Sequence, residues 1–213
     1  MRHLPLLLLT LANLPLAAQA WDIRAEVPFP KGQSLPQTLI QGTLTAGSLD
    51  TGKGVILSVS HRIVRVGPVL KFEWGMEYAD WKAGGEIQSG ATSAGSSLHQ
   101  SGLGLGLNAQ FWVPFTGVAG ELGVIQRLQR YRYSGYAASQ DHNLSRTWLR
   151  VGMRWRLPLP VISPYVAASY QEPISKNHPV HLDSAQDVPA YLSAQGSGQE
   201  FQRLWTFGVG VQF

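Results

Sequence analysis

Three groups of residues in this chain have types and spacings that could do chemistry. His99-x-Ser101, with Asp80 upstream, supplies an imidazole, a hydroxyl and a carboxylate. Serine-based acyl hydrolysis needs that set, provided the His reaches the Ser and the acid orients the His. His178, His181 and Asp183 carry the H-x-x-H-x-D spacing of metal ligands. The largest group is ionic: Lys71, Glu73, Glu77, Glu121, Arg127, Arg146, Arg150, Arg154 and Arg156. The chemistry open to it is mutual ion pairing, or binding of an anion. Cysteine is absent from the sequence, which removes thiolate catalysis, disulfides, zinc-thiolate sites and iron–sulfur clusters.

The elements that must position these residues follow a period of two, which sends alternate side chains to opposite faces of a strand. Leu70, Phe72, Trp74, Met76 and Tyr78 alternate with Lys71, Glu73, Gly75 and Glu77. Leu103, Leu105, Leu107, Ala109, Phe111 and Val113 alternate with Gly102, Gly104, Gly106, Asn108, Gln110 and Trp112. Thr147, Leu149, Val151, Met153, Trp155 and Leu157 alternate with Arg146, Trp148, Arg150, Gly152, Arg154 and Arg156. The four arginines on one face fix the phase of that strand. Short Pro/Gly links near 65–68, 114–117 and 158–163 alternate with long polar links near 83–97, 134–143 and 173–199. Reading outward from them places strands at about 38–47, 53–64, 68–82, 98–113, 118–133, 144–157, 163–172 and 200–213. Residues 21–37 remain as a Pro-rich lead-in, although the alternation in Trp21 to Phe29 would also suit a strand that displaces 38–47.

Composition agrees with β-structure. The chain has 213 residues, 14% charged and 44% hydrophobic, with 23 glycines and 13 prolines. That excludes a disordered polyelectrolyte and disfavours long helices. Past residue 20 no stretch reaches the roughly 18 apolar residues of a spanning helix. No Lys/Arg cluster marks a nucleic-acid footprint. Residues 1–20 read as a secretory signal: Met1-Arg2-His3 is basic, Leu4 to Leu16 apolar, and Ala18-Gln19-Ala20 a small-x-small cleavage site. The expected mature chain starts at Trp21.

Eight strands, short turns at one end and long loops at the other are the layout of an all-β, antiparallel, up-and-down transmembrane barrel. Aromatics are expected to gather toward both strand ends, as membrane interfaces favour: Tyr78, Trp81, Tyr131, Tyr133, Tyr170 and Trp205 toward the long loops, and Phe111, Phe115, Trp155, Tyr165 and Phe213 toward the short turns. At the C-terminus, Trp205, Phe207, Val209, Val211 and Phe213 alternate with Thr206, Gly208, Gly210 and Gln212. This resembles the terminal strand of bacterial outer-membrane barrel proteins, and the size resembles the small eight-stranded barrels of the OmpA and OmpX kind. The resemblance covers 38–213 as architecture and the last nine residues as a motif. It implies a bacterial outer-membrane location, recognition of the terminal strand by the barrel-assembly machinery, and contact with outer-membrane lipids and lipopolysaccharide. A monomer without nucleic acid is expected.

Within such a barrel the nine charged residues must face the lumen, which eight strands leave just wide enough to fill with side chains. A packed ion-pair network is the expected use. A narrow anion-leaning channel or small-solute site is the alternative, because six of the nine are basic. The glycine-lined faces at 102–106 and 208–210 would give long arginines room to cross. Asp80, His99 and Ser101 share the lipid-facing phase near the long-loop end. His-x-Ser there is similar to the motif of lipid A deacylases, but Gly102 follows where that family has Asn. The three stand as an alternative enzymatic site beside a non-enzymatic structural or surface-interaction role. His178, His181 and Asp183 fall in a long loop without a repeated ligand set, so no metal and no cofactor is expected. That loop, with Val180, Leu182, Val188, Tyr191 and Leu192, reads as a contact surface.

Overall fold

The computed structural model describes residues 20–30, 33–40, 43–49, 52–89, 91–135, 138–157, 159, 162–174 and 203–213. Ten strands are assigned among them: β1 Trp21–Pro30, β2 Gln33–Ile40, β3 Thr43–Leu49, β4 Lys53–Val66, β5 Leu70–Ser89, β6 Thr92–Trp112, β7 Val118–Gly135, β8 Ala138–Arg156, β9 Ser163–Pro173 and β10 Leu204–Gln212. Eight of them close a ring. β4 to β10 pair with their successors as an antiparallel meander, and β1 bridges β4 and β10. The closure is tight at its end, where Trp21 N–H donates to Phe213 O at 2.9 Å and Phe213 N–H donates back at 3.0 Å. The eight-stranded antiparallel barrel expected from the alternation is the fold found.

The first strand of that ring differs from the expected 38–47. β1 comes from the Pro-rich lead-in, as its alternation allowed. Its pairing with β4 ends at Glu26, so Pro28 and Pro30 fall where β1 pairs with β10 alone; proline is tolerated where a strand lacks one neighbour. The barrel therefore begins at Trp21 and not at residue 38. The 38–47 stretch is divided between β2 and β3, a hairpin that stands outside the ring and pairs with the far end of β5 through Thr45–Leu49.

Two of the expected long links are also strand. β5 and β6 stay in register to Ser89 and Thr92, and β7 and β8 to Gly135 and Ala138. Ser, Gly, Gln and Ala dominate 83–97 and 134–143, so the apolar alternation that marks a strand is lost while backbone pairing continues. The barrel thus has a tall wall, with β5 to β8 of 18 to 21 residues, and a short wall, with β9, β10 and β1 of 9 to 11 residues. The short turns need left-handed backbone at Gly67 (φ 61°), Gly117 (φ 69°) and Phe115 (φ 66°). A Cβ on Gly117 would fall 2.4 Å from the Arg156 carbonyl oxygen.

Burial is inverted relative to a water-soluble domain. Trp74, Met76, Leu103, Leu105, Leu107, Val151, Met153, Phe207 and Val209 are exposed on the outer face, whereas Arg24, Glu26, Glu77, Glu121, Arg127 and Arg154 are buried inside.

Candidate functional site: the barrel interior

The interior is built in layers by the inward residues of the eight strands. Nearest the short turns, Glu121 on β7 accepts from Arg24 of β1 at 2.7 and 3.0 Å and also from Arg154 of β8. Arg154 donates to Asp22 at 2.6 Å, and Asp22 also accepts from the Tyr165 hydroxyl. Lys71 pairs with Glu73 at 2.6 Å, and Glu73 accepts from Gln110. One level higher, Glu77 takes Arg150 at 2.8 Å and Arg127 on its other oxygen. Glu26 accepts from Thr206 at 2.7 Å and lies 3.4 Å from Arg150. Apart from Lys71–Glu73 within β5, these ion pairs join different strands, and buried charge is tolerated only when paired and hydrogen-bonded in this way.

Toward the long-loop end large apolar side chains enter the interior beside buried Gln100, Gln129, Gln171 and Arg146. Ile56, Trp81, Leu98, Trp148 and Leu204 are at most 1% exposed. The Trp81 and Trp148 rings meet edge to face at 6.4 Å between centroids. The Arg127 guanidinium lies 5.8 Å from the Trp81 centroid and 4.7 Å from that of Trp148, a cation–π arrangement that joins the ionic layer to the aromatic one. Arg146 adds a third contact, 5.6 Å from Trp148.

Among the described residues, two spaces border the interior. A cavity of ≈ 40 Å³ beside Gly75, Gly106 and Gly123 is bordered by Asp22, Arg24, Glu73 and Arg150, a polarity and size suited to water. At the short-turn end a vestibule of ≈ 520 Å³ is lined by Arg62, Arg65, Lys71, Trp112, Arg156 and Gln212. Arg156 stacks on Trp112 at 4.2 Å and donates to Gln212 at 3.0 Å. The glycine faces serve the crossing side chains: a Cβ on Gly104 would come 2.8 Å from Glu77 Cγ, and one on Gly210 would come 2.2 Å from Tyr165 Cζ.

The structure places Lys71, Glu73, Glu77, Glu121, Arg127, Arg146, Arg150 and Arg154 buried inside the barrel and leaves Arg156 half-buried at its mouth. Sequence reasoning missed Asp22, Arg24 and Glu26, which complete the network from β1. Their alternation with Ile23, Ala25 and Val27 was the available signal. With them the interior holds seven basic and five acidic groups among the described residues, so the basic excess is smaller than six against three implied. Trp81 and Tyr165 are not interface aromatics. Trp81 is one residue out of phase with the outer face of β5, and Tyr165 shares the inward phase of Ala167, Ser169 and Gln171. Tyr78, Phe111, Phe115, Trp155, Trp205 and Phe213 are exposed outside, and the side chains of Tyr131 and Tyr133 lie outside the described residues. The outward set Trp205, Phe207 and Val209 continues to Val211 and the exposed Phe213.

Asp80, His99 and Ser101 come to one patch on the outer wall. His99 Nε2 lies 3.1 Å from both Asp80 oxygens, and the Tyr78 hydroxyl donates to Asp80 at 3.1 Å. Ser101 pairs in register with Asp80 across the strands. Among the described residues no hydrogen bond joins Ser101 to His99, and the His99 nitrogen that faces Asp80 is taken. His178, His181 and Asp183, and residues 1–19, lie outside the described residues.

Fold and interior together define a closed, eight-stranded antiparallel barrel with an ionic core and an apolar exterior. The chain is similar to the crystal structure of Neisserial surface protein A (NspA), with 14% identity, a TM-score of 0.49, and coverage of 91% of this chain and 97% of that one. It is similar to the attachment invasion locus protein Ail of Yersinia pestis, with 10% identity, a TM-score of 0.42, and coverage of 91% and 97%. The translocator domain of the autotransporter NalP from Neisseria meningitidis aligns with 12% identity, a TM-score of 0.41, and coverage of 99% and 95%. No protein-family model and no curated protein matches the chain.

Proposed function

We propose that this chain is an integral outer-membrane barrel of a Gram-negative-type cell, exported with residues 1–20 removed. In this reading it is a monomer that acts structurally or through contacts of its tall outer wall, and not as an enzyme. The observation that carries the reading is the outer belt of exposed apolar side chains, present on every strand of the ring: Ile23, Leu57, Trp74, Leu105, Val124, Val151, Val166 and Phe207. Apolar area on that scale is costly in water and matched to lipid. Spanning strands need about 9 to 11 residues, so β9, β10 and β1 have spanning length while β5 to β8 extend beyond it. The outward aromatic end of β10 suits recognition by the barrel-assembly machinery, and outer-membrane lipids and lipopolysaccharide would surround the belt. The test is cell fractionation with heat-modifiable migration on gels. The folded form should run faster unheated and sediment with the outer membrane. A soluble periplasmic protein without heat modifiability would overturn the reading.

A second reading, acyl hydrolysis at the outer rim, is favoured by the formed His99–Asp80 pair. It requires Ser101 to reach His99 when substrate binds. Turnover of an acylated glycolipid that is lost in Ser101→Ala would establish it, and no turnover by the folded protein would dismiss it.

A further inference from the structure

We propose that the outer wall of β4 to β7 is a docking surface for a phosphorylated, multiply acylated glycolipid of the outer leaflet. The inference rests on the outer-membrane reading and adds to it a place on the wall and the headgroup chemistry recognised there. Register builds the surface. Lys53 pairs with Lys82, Lys82 with His99, and His99 with Arg132, so one row across four adjacent strands is basic or titratable. The next row toward the belt is Val55, Asp80, Ser101 and Arg130, and the one after it is Leu57, Tyr78, Leu103 and Leu128. All twelve share the outward phase of their strands.

The order of these rows matches the order of groups in such a lipid. Leu103 and Leu128 are 59% and 66% exposed and offer a bed for acyl chains. Arg130 stands two residues beyond Leu128, roughly 7 Å along the strand, and is exposed. Lys53, Lys82 and Arg132 are exposed two residues further on. Headgroup phosphates of a lipid whose chains lie on the leucines therefore meet guanidinium and ammonium groups, and Arg engages phosphate oxygens in pairs. Asp80 is engaged by His99 and Tyr78, and in register the basic row ends at Asp141 on β8. On the opposite wall Glu172 and Arg203 pair with each other at 3.7 Å, which leaves no net charge from the two. The row from Lys53 to Arg132 spans three strand spacings, about 14 Å. That width spans more than one phosphate, which favours a bis-phosphorylated glycolipid over a phospholipid with a single phosphate.

The experiment uses the full barrel, folded in neutral detergent, and native mass spectrometry with three probes: bis-phosphorylated lipid A, its dephosphorylated form and phosphatidylglycerol. Wild type should retain the first on the order of tenfold or more over the other two. The combined variant Lys82→Gln, Arg130→Gln, Arg132→Gln should lose that preference, while Arg62→Gln with Arg65→Gln, at the other mouth, should keep it. Equal retention of all three lipids by wild type would overturn the inference without any variant, and so would preference kept by the triple variant. Phosphatidylglycerol bound as well as lipid A would reduce the surface to a general anionic-lipid contact and overturn the assignment. Heat-modifiable migration, read on the same samples, reports separately on the barrel reading.

Discussion

Asp22 on β1 and Arg154 on β8 meet across the lumen at 2.6 Å, 132 positions apart in the chain. The contact ties the closing strand of the ring to the wall opposite, and it sits in one cluster with Glu121, Arg24 and Tyr165. Asp22→Asn should destabilise the barrel by about 1 to 3 kcal/mol, the range for a lost hydrogen bond to a buried charge. Arg154 keeps Glu121, so the loss should stay below that of an isolated buried pair. Urea unfolding in lipid vesicles measures it, and an unchanged midpoint would remove this contact from the set that holds β1 in place.

The same relationship separates β1 from the hairpin that follows it. Deleting 21–30 removes a ring strand with three ionic side chains, and no heat-modifiable form should be recovered. Deleting 33–49, which among the described residues pairs only with itself and the far end of β5, should leave the ring closed and heat-modifiable. Recovery of a compact barrel without 21–30 would return the first ring strand to the 38–47 stretch.

Much of this arrangement was legible in the sequence where one face is apolar and the other ionic. The alternation in 70–78, 103–113 and 147–157 gave both the strands and the inward set, because a one-residue slip would have put arginines on the apolar outer face. It failed where composition hides phase. Pro28 and Pro30 masked β1, and polar residues on both faces masked the hairpin extensions. The Asp80 to His99 contact was legible from hairpin register alone, whereas the missing Ser101 link depends on side-chain direction that spacing does not carry. Trp81 and Tyr165 were misplaced because they were assigned by height along the strand and not by face.

Faces can be separated by two neighbours on β8. Val151 is 46% exposed outside, while Arg150 is buried against Glu77. In the proposed membrane setting Val151→Arg places a charge on the apolar outer face at a cost of about 2 to 4 kcal/mol near the midplane. Arg150→Gln leaves Glu77 with Arg127 and should cost less, about 1 to 2 kcal/mol. Unfolding in vesicles compares them; equal losses would contradict the assigned phase.

Gly210 is predicted to be intolerant of any side chain because the Tyr165 ring occupies the space a Cβ would need, 2.2 Å from Cζ. Overpacking of this kind costs about 1 to 3 kcal/mol. Gly210→Ala should destabilise, and Tyr165→Leu should relieve part of that loss in the double variant, a coupling read from a double-mutant cycle. Strict additivity would place the two residues out of contact.

Conduction tests the closed end of the lumen. Trp81 and Trp148 in edge-to-face contact, with Arg127 against both rings, are buried in the interior beside Ile56, Leu98, Leu204 and Gln100, while the short-turn end is open as a basic vestibule. Eight strands leave no further width for a path around these rings. Planar-bilayer recordings of wild type should therefore show no steady conductance. Trp81→Ala with Trp148→Ala removes the aromatic layer and should open a small conductance that favours anions, since Arg127, Arg146 and the vestibule arginines would line the path. The double variant also removes large buried side chains, at about 3 to 5 kcal/mol each, so recordings are made on the fraction that stays heat-modifiable. A large, stable conductance from wild type would replace the closed-lumen reading with a channel. Silence in a folded double variant would mean that the ionic layer below, not the tryptophan pair, seals the barrel.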